Sequence, residues 1–233
     1  MWNGKNKAIT FSFDDGVQQD KKCVEILNKY GLKATFNLNS AKFGLKFPYT
    51  MPTDGRIIER TIINPDEVAP LYKGHELGVH TLTHANLIEI PDSCIVWQVE
   101  EDRKNLERFA GYPVRVMAYP CGYVNDHVVN VLKNQTQIKM ARTVVSTYNF
   151  DIQEDLLNFN PTIHMSEYEK MVELAQEFIS LKTDTPKLFY IWGHTYEFDM
   201  DDINYKKFEE FCKFIGCRED IFYGTNGQVL FGE

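Results

Sequence analysis

No C-x-x-C pair occurs among the five cysteines of this chain, Cys23, Cys94, Cys121, Cys212 and Cys217. An odd set without paired spacing argues against a disulfide framework and suits free thiols in a reducing compartment. Cys212 and Cys217 lack the second pair that a structural zinc site needs. No apolar run approaches membrane-spanning length, and Met1 to Lys7 lead into a strand without the apolar centre of a signal peptide. A cytoplasmic protein with no membrane partner is therefore expected. Positive charge is in deficit, 25 Lys and Arg against 33 Asp and Glu, for a formal net charge of −8. That balance excludes a general affinity for nucleic acid. Internal repeats, low-complexity tracts and evident linkers are all missing. With 43% hydrophobic and 25% charged residues over 233 positions, the expectation is one domain, residues 1–233, with a substantial core.

What the chain does have is a set of strand-like runs that stop on chemically active residues. Ala8–Phe13 delivers Asp14 and Asp15, and Glu76–Val79 delivers His80, with His84 four residues on. Val114–Tyr119 runs into Pro120, Cys121 and Gly122, and Lys139–Ala141 into Arg142. Pro161–Ile163 ends on His164, and Lys187–Trp192 ends on Gly193 and His194. In an α/β barrel the strand C-termini open on one face, where catalytic groups gather.

Helical patterns separate these runs. Val17, Val24, Leu27 and Tyr30 share a face that stops at Gly31, and Lys33–Leu38 is the next strand. Asn64 and Pro65 open a short helix ending near Gly74. Ile95, Val99, Leu106 and Phe109 mark a longer one, ended by Gly111. Asn125 or Asp126 caps the next, and Ser166 with Glu169 reads as a capping box. Asn204–Phe214 reads as the last helix before Gly216. Alternating strands and helices specify parallel strands with right-handed crossovers, and about seven units predict a closed, irregular barrel. Two stretches break the rhythm. Asn39–Ile63, with Pro48, Pro52 and a turn-like Thr53-Asp54-Gly55-Arg56, predicts a hairpin excursion on the active face. Val144–Asn160 predicts an irregular connection.

Asp15, His80 and His84 form a plausible one-carboxylate, two-imidazole ligand set, which leaves positions open for water and substrate as catalytic metal sites do. One divalent metal is implied; zinc suits these donors, and cobalt, nickel and iron(II) suit them too. Two adjacent aspartates repel unless they have different roles. A cation on Asp15 leaves Asp14 ionised as a general base toward water, whose pKa such a cation lowers toward about 7.

In order, Thr10-Phe11-Ser12-Phe13-Asp14-Asp15-Gly16, His80-Thr81-Leu82-Thr83-His84, Tyr119-Pro120-Cys121-Gly122 and Trp192-Gly193-His194 resemble the motifs of the polysaccharide deacetylases with the NodB-homology domain, which are carbohydrate esterases. The resemblance spans Ala8 to about Glu197. It implies a distorted (β/α)7 barrel and a metal-dependent hydrolase that removes an N-acetyl group from an amino sugar. By the same resemblance Asp14 is the base, and Asp15, His80 and His84 hold the metal. His194 is then the acid that protonates the leaving amine, and the Cys121 N–H stabilises the oxyanion, with Tyr119 and Pro120 beside it. Trp192 is placed to wall His194.

The chain departs from the family pattern in two places. Ala118 stands where better-known members carry an Arg that orients the base, and Arg142 is the candidate substitute. No clear fourth motif supports the acid, for which Glu197 and His164 are both candidates. His75 and His127 are assigned nothing. A second reading keeps the amidase chemistry but takes a small non-sugar amide or cyclic imide. A third is a non-catalytic carbohydrate-binding relative, against which the presence of Asp14 and His194 argues. The expected partner is a carbohydrate or small acylated substrate; sugar, linkage and oligomeric state carry no signature in these residues.

Overall fold

Apolar and polar residues alternate along residues 8–14, and the alternation separates the two faces of a curled sheet. Ile9, Phe11 and Phe13 face outward into a core shared with the surrounding helices, where Phe11 and Phe13 meet Phe208 edge-on at centroid distances of 6.0 and 6.1 Å. Burying each such ring contributes about 1.5–3 kcal/mol. Thr10, Ser12 and Asp14 face inward and are also buried, which is tolerable because each is hydrogen-bonded.

The computed structural model describes residues 2–51, 54–200 and 203–232. Its strands are β1 (Lys7–Asp14), β2 (Ala34–Leu38), β3 (Tyr49–Thr50), β4 (Ile57–Ile58), β5 (Glu76–Val79), β6 (Val116–Ala118), β7 (Met140–Arg142), β8 (Ile163–His164), β9 (Lys187–Gly193) and β10 (Ile221–Tyr223). Its helices are α1 (Asp20–Lys29), α2 (Pro65–Leu71), α3 (Asp92–Ala110), α4 (Asp126–Gln135), α5 (Tyr168–Ser180), α6 (Tyr205–Ile215) and α7 (Asn226–Leu230). Seven strands run in the order β7-β6-β5-β2-β1-β9-β8, with every neighbouring pair parallel. This is the distorted (β/α)7 barrel.

Closure is looser than the sequence suggests. Among the described residues the edge strands β7 and β8 do not pair with each other; β7 meets only the segment preceding β8, through a single bridge from Arg142 to Phe159, with Phe159 N donating to Ala141 O at 3.0 Å and Thr143 N to Phe159 O at 2.9 Å. Pro161 follows two residues later and has no N–H to extend the ladder. The opposite end of the barrel is plugged by elements the sequence reading did not anticipate. β10 pairs with the first residues of β1, and Asn226 of α7 reaches inward to Thr10 and Tyr190 at 3.0 and 2.7 Å. Asn204–Phe214 is thus not the last helix.

Several local expectations hold. α2 opens on Asn64 and Pro65, where a capping box with Glu67 forms in addition, α3 ends on left-handed Gly111, and Asn125 caps α4. β3 and β4 pair antiparallel within the 39–63 excursion, whose Val17–Ile62 bridge ties it to the segment following β1; Pro52 and Thr53 of its predicted turn lie outside the described residues. The Ser166–Glu169 capping box does not form. α5 starts at Tyr168 with Glu167 at its N-cap, because the Ser166 hydroxyl is engaged by His164 Nδ1 at 2.6 Å.

Candidate active site

The C-terminal ends of β1 and β5 bring three donor atoms together. Asp15 Oδ1 lies 3.8 Å from His80 Nε2 and 3.6 Å from His84 Nε2, and the three ligand atoms lie within 4.8 Å of one another. Donors on a tetrahedral zinc at bonds of roughly 2.1 Å would stand about 3.4 Å apart, so the spacing fits one cation. Asp15 Oδ1 is also a buried oxygen with no hydrogen-bond partner, an arrangement that costs stability unless something positive meets it.

Backbone and neighbours aim these ligands. His80 Nδ1 lies 2.8 Å from Ala118 O; a carbonyl can only accept, so Nδ1 carries the proton and Nε2 presents its lone pair to the site. The loop that carries both histidines is clamped by α3. Asp102 accepts from the His80 N–H at 3.2 Å, and Gln98 exchanges hydrogen bonds with Thr83 at 3.0 and 2.9 Å. Asn39 donates to the carbonyls of His80 and Thr81. Burial raises the Asp102 carboxyl to about 7 despite the N–H groups of Ser40 and His80 that stabilise its charge. Burial and the charge of His80 push His84 down to about 4 although Asp15 pulls it upward, which favours the neutral imidazole that metals bind. Asp15 (φ 77), Thr81 (φ 60), His84 (φ 63) and Cys121 (φ 55) all adopt left-handed backbone, at a cost of order 1–3 kcal/mol each. Four such residues concentrated around one cleft are what a site built for geometry rather than stability looks like.

Asp14 sits beside the triad, 2% exposed. Its Oδ2 accepts from Arg142 Nη2 and its Oδ1 from Asn37 Nδ2 at 2.8 Å. Burial alone raises its pKa, but the charges of Arg142, His80 and His194 outweigh burial and hold the carboxyl far below the usual range. Asp14 is therefore ionised and fixed. Arg142, fully buried, also bonds Ser12 Oγ and Thr143 O at 3.3 and 2.8 Å and lies 4.3 Å from the Trp192 ring centroid. Asn37 needs inward space, which Gly78 of the adjacent β5 supplies: a Cβ there would overlap the Asn37 amide oxygen.

On the other side, His194 Nδ1 lies 3.0 Å from Glu197 Oε1, and His164 Nε2 lies 3.4 Å from the same oxygen. Of the two candidates for orienting His194, Glu197 makes the contact and His164 backs it. Burial lowers His194, yet the Glu197 hydrogen bond and charge, then Asp15 and Asp14, raise it to about 9. Burial likewise raises Glu197, and the two histidines override it, bringing it to about 2. Trp192 contacts both rings, 4.3 Å from His164 and 5.8 Å from His194.

The third motif is split. Pro120, Cys121 and Gly122 form a short turn at the end of β6, but the Tyr119 side chain points into the outer core, where its hydroxyl donates to Leu157 O at 2.7 Å. Only its backbone remains at the site. Sequence reasoning missed Asn37, Asn39, Gln98, Asp102 and Asp20, which accepts from Thr195 and Tyr72. The signal for Asn37 was the polar alternation Thr35-Phe36-Asn37 along β2; the others have none at short range.

The family model for polysaccharide deacetylase matches residues 3–140. A peptidoglycan-N-acetylglucosamine deacetylase of Bacillus cereus is 30% identical over 125 residues, covering 52% of this chain and 39% of that protein; the chain thus spans well under half of that relative's length. Among solved structures, the Xyl-CE4 domain of a multidomain xylanase from the hindgut metagenome of Trinervitermes trinervoides has a TM-score of 0.58 at 15% identity, over 96% of this chain and 89% of that one. The peptidoglycan deacetylase PdaC of Bacillus subtilis has a TM-score of 0.57 at 17% identity, over 96% and 90%. At such identities these two likenesses speak for the fold alone, while the family match covers more than half of the chain. The chain belongs to the polysaccharide deacetylase family.

Proposed function

We propose that this chain is a metal-dependent hydrolase that removes an N-acetyl group from an amino sugar within a glycan or oligosaccharide. What carries the reading is Asp15 Oδ1, a buried oxygen without a partner that faces the Nε2 atoms of His80 and His84, with the ionised Asp14 beside it. Asp15, His80 and His84 would hold a divalent cation, zinc by donor type, with cobalt, nickel or iron(II) as alternatives. When bound, that ion supplies Lewis-acid polarisation of the scissile carbonyl and acidifies water.

The remaining work falls to the chain's own groups. Asp14, aligned by Arg142 and Asn37, takes a proton from the attacking water, whose oxygen adds to the acetyl carbon. His194, kept cationic by Glu197, gives its proton to the departing nitrogen as the C–N bond breaks. The products are acetate and the free amine. The Cys121 N–H, in its left-handed turn, is the donor assigned to the developing negative charge on oxygen. Trp192 excludes water from the flank of His194 and His164.

The test is acetate release from N-acetylglucosamine oligomers by protein stripped of metal and then reloaded. Release that requires metal and disappears in Asp14→Asn supports the proposal. Metal-dependent opening of cyclic imides without acetate release would replace it with the small-amide reading.

A further inference from the structure

Two cations line a cavity that Asp15 and His84 of the ligand triad also border, and among the described residues neither is ion-paired with an acidic side chain. This cavity, about 140 Å3, is bounded by Asp15 and His84 from the barrel and by Lys42, Phe47, Arg60 and Ile62 from the 39–63 excursion. Lys42 closes the short turn after β2, and Arg60 follows β4. Most basic side chains near carboxylates on this protein are paired, as in Lys21–Glu67, Lys29–Glu209, Arg103–Glu100 and Lys187–Asp151. Lys42 and Arg60 are half-buried, yet among the described residues no carboxylate lies within 4.0 Å of either. They are held instead by rings and backbone. Lys42 Nζ lies 4.6 Å from the Phe47 centroid, and the Arg60 guanidinium lies 5.6 and 5.0 Å from Tyr49 and Tyr196. Arg60 Nε donates to Phe47 O at 3.0 Å. Tyr196 in turn stacks 4.9 Å from His194, so Arg60 is tied to both sides of the cleft.

Such an arrangement fixes two positive groups while leaving N–H donors uncommitted to any carboxylate. Asp15, the only acidic group among the described residues that line this cavity, is committed to the ligand triad. On a chain with a formal charge of −8, an anion would be repelled overall, and a local pair of cations at the reaction site reverses that field. We propose that Lys42 and Arg60 form an anion-recognising subsite beside the acetamide, so that the preferred substrates are N-acetylated glycans bearing a carboxylate or phosphate substituent near the sugar being deacetylated; this rests on the deacetylase reading above.

The test compares metal-loaded protein on tetra-N-acetylchitotetraose, its 6-O-carboxymethyl derivative and its 6-O-phosphorylated derivative. The acidic oligomers should be preferred by about 10-fold or more in kcat/KM, chiefly through KM, as charge-assisted hydrogen bonds allow, and the two derivatives distinguish carboxylate from phosphate. The preference should collapse with rising salt. Lys42→Met and Arg60→Met should lose about 10-fold to 100-fold more on the acidic oligomers than on the neutral one, while Lys42→Arg and Arg60→Lys retain the preference and show that the fold survives. Equal wild-type kinetics on the three oligomers, or equal losses on all three in the Met variants, overturns the subsite. If no oligomer releases acetate, the deacetylase reading fails. Calorimetric binding of the carboxymethyl oligomer then decides the subsite alone: tight binding lost in the Met variants upholds it, and none in the wild type ends it.

Discussion

Arg142 of β7 places its guanidinium on the Asp14 carboxylate of β1, across 128 residues of chain and with both side chains buried. Ala118 on the neighbouring strand β6 stands where the family resemblance leads one to expect an arginine for this task, and in this chain it is Arg142, at the end of β7, that reaches the carboxylate. The charge reaches the site by a different route through the barrel.

Arg142→Ala should therefore lower turnover about 100-fold or more, the scale expected when a catalytic group loses its orientation. The same change strands a buried carboxylate, costing about 3–5 kcal/mol of stability. Metal content should be intact, because Asp15, His80 and His84 do not contact Arg142. Steady-state kinetics, metal analysis and chemical denaturation on the same preparations check this; unchanged turnover would remove Arg142 from the base's support.

Chelation should strip one divalent ion per chain and abolish acetate release. Restoring zinc to 100 times its dissociation constant should stabilise the fold by about 2.7 kcal/mol. His84→Ala, on a partly exposed loop, should fold yet gain nothing from zinc. A zinc-induced rise in melting temperature equal to wild type in that variant would place the ion elsewhere.

Glu197→Gln should move the alkaline limb of the pH–rate profile downward. On the proposed mechanism His194 is the acid only while protonated, and it loses that form as pH rises through its folded pKa of about 9. The Glu197 charge is part of what holds that value up, so neutralising it should lower the limb by about one to two pH units and cut the rate near pH 8 by roughly 2-fold to 10-fold. A profile superimposable on wild type would show that another group supplies the proton.

Asp20 gives a stability prediction independent of activity. Burial raises its carboxyl from 3.8 to about 7, overriding the hydroxyl hydrogen bonds of Thr195 and Tyr72. The folded state then binds more protons than the unfolded state between these values, so this residue's contribution falls as pH rises through that window. Asp20→Asn does not titrate. Relative to wild type its stability should improve between pH 4 and pH 8 by on the order of a few kcal/mol, read from urea denaturation at several pH values. A difference that stays flat with pH would mean that Asp20 is ionised throughout.

The candidate site residues were legible because they lie at a strand end or, for His84, four residues beyond one, and strand ends in a parallel barrel share one face. Asp14, Asp15, His80, His84 and His194 needed only that rule and the order of their motifs. Helix ends were legible where a local capping interaction exists, as at Asn64 and Asn125. They failed at Ser166, whose hydroxyl is drawn to His164 instead, a competition between neighbours that propensity does not contain.

By itself, then, the sequence determined the alternation of strands and helices, the polar and apolar faces of β1 and β2, and which side chains reach the open end of the barrel. These follow from short-range periodicity. Only the tertiary structure decided that Arg142 meets Asp14, that Glu197 rather than His164 is hydrogen-bonded to His194, that Tyr119 turns away, and that Asp102 and Gln98 hold the histidine loop from α3. Apart from the Glu197–His194 contact, which spans three residues, each of these is a contact between elements distant in the chain, fixed by barrel curvature and by the need of buried polar atoms for partners. No window of neighbouring residues encodes either.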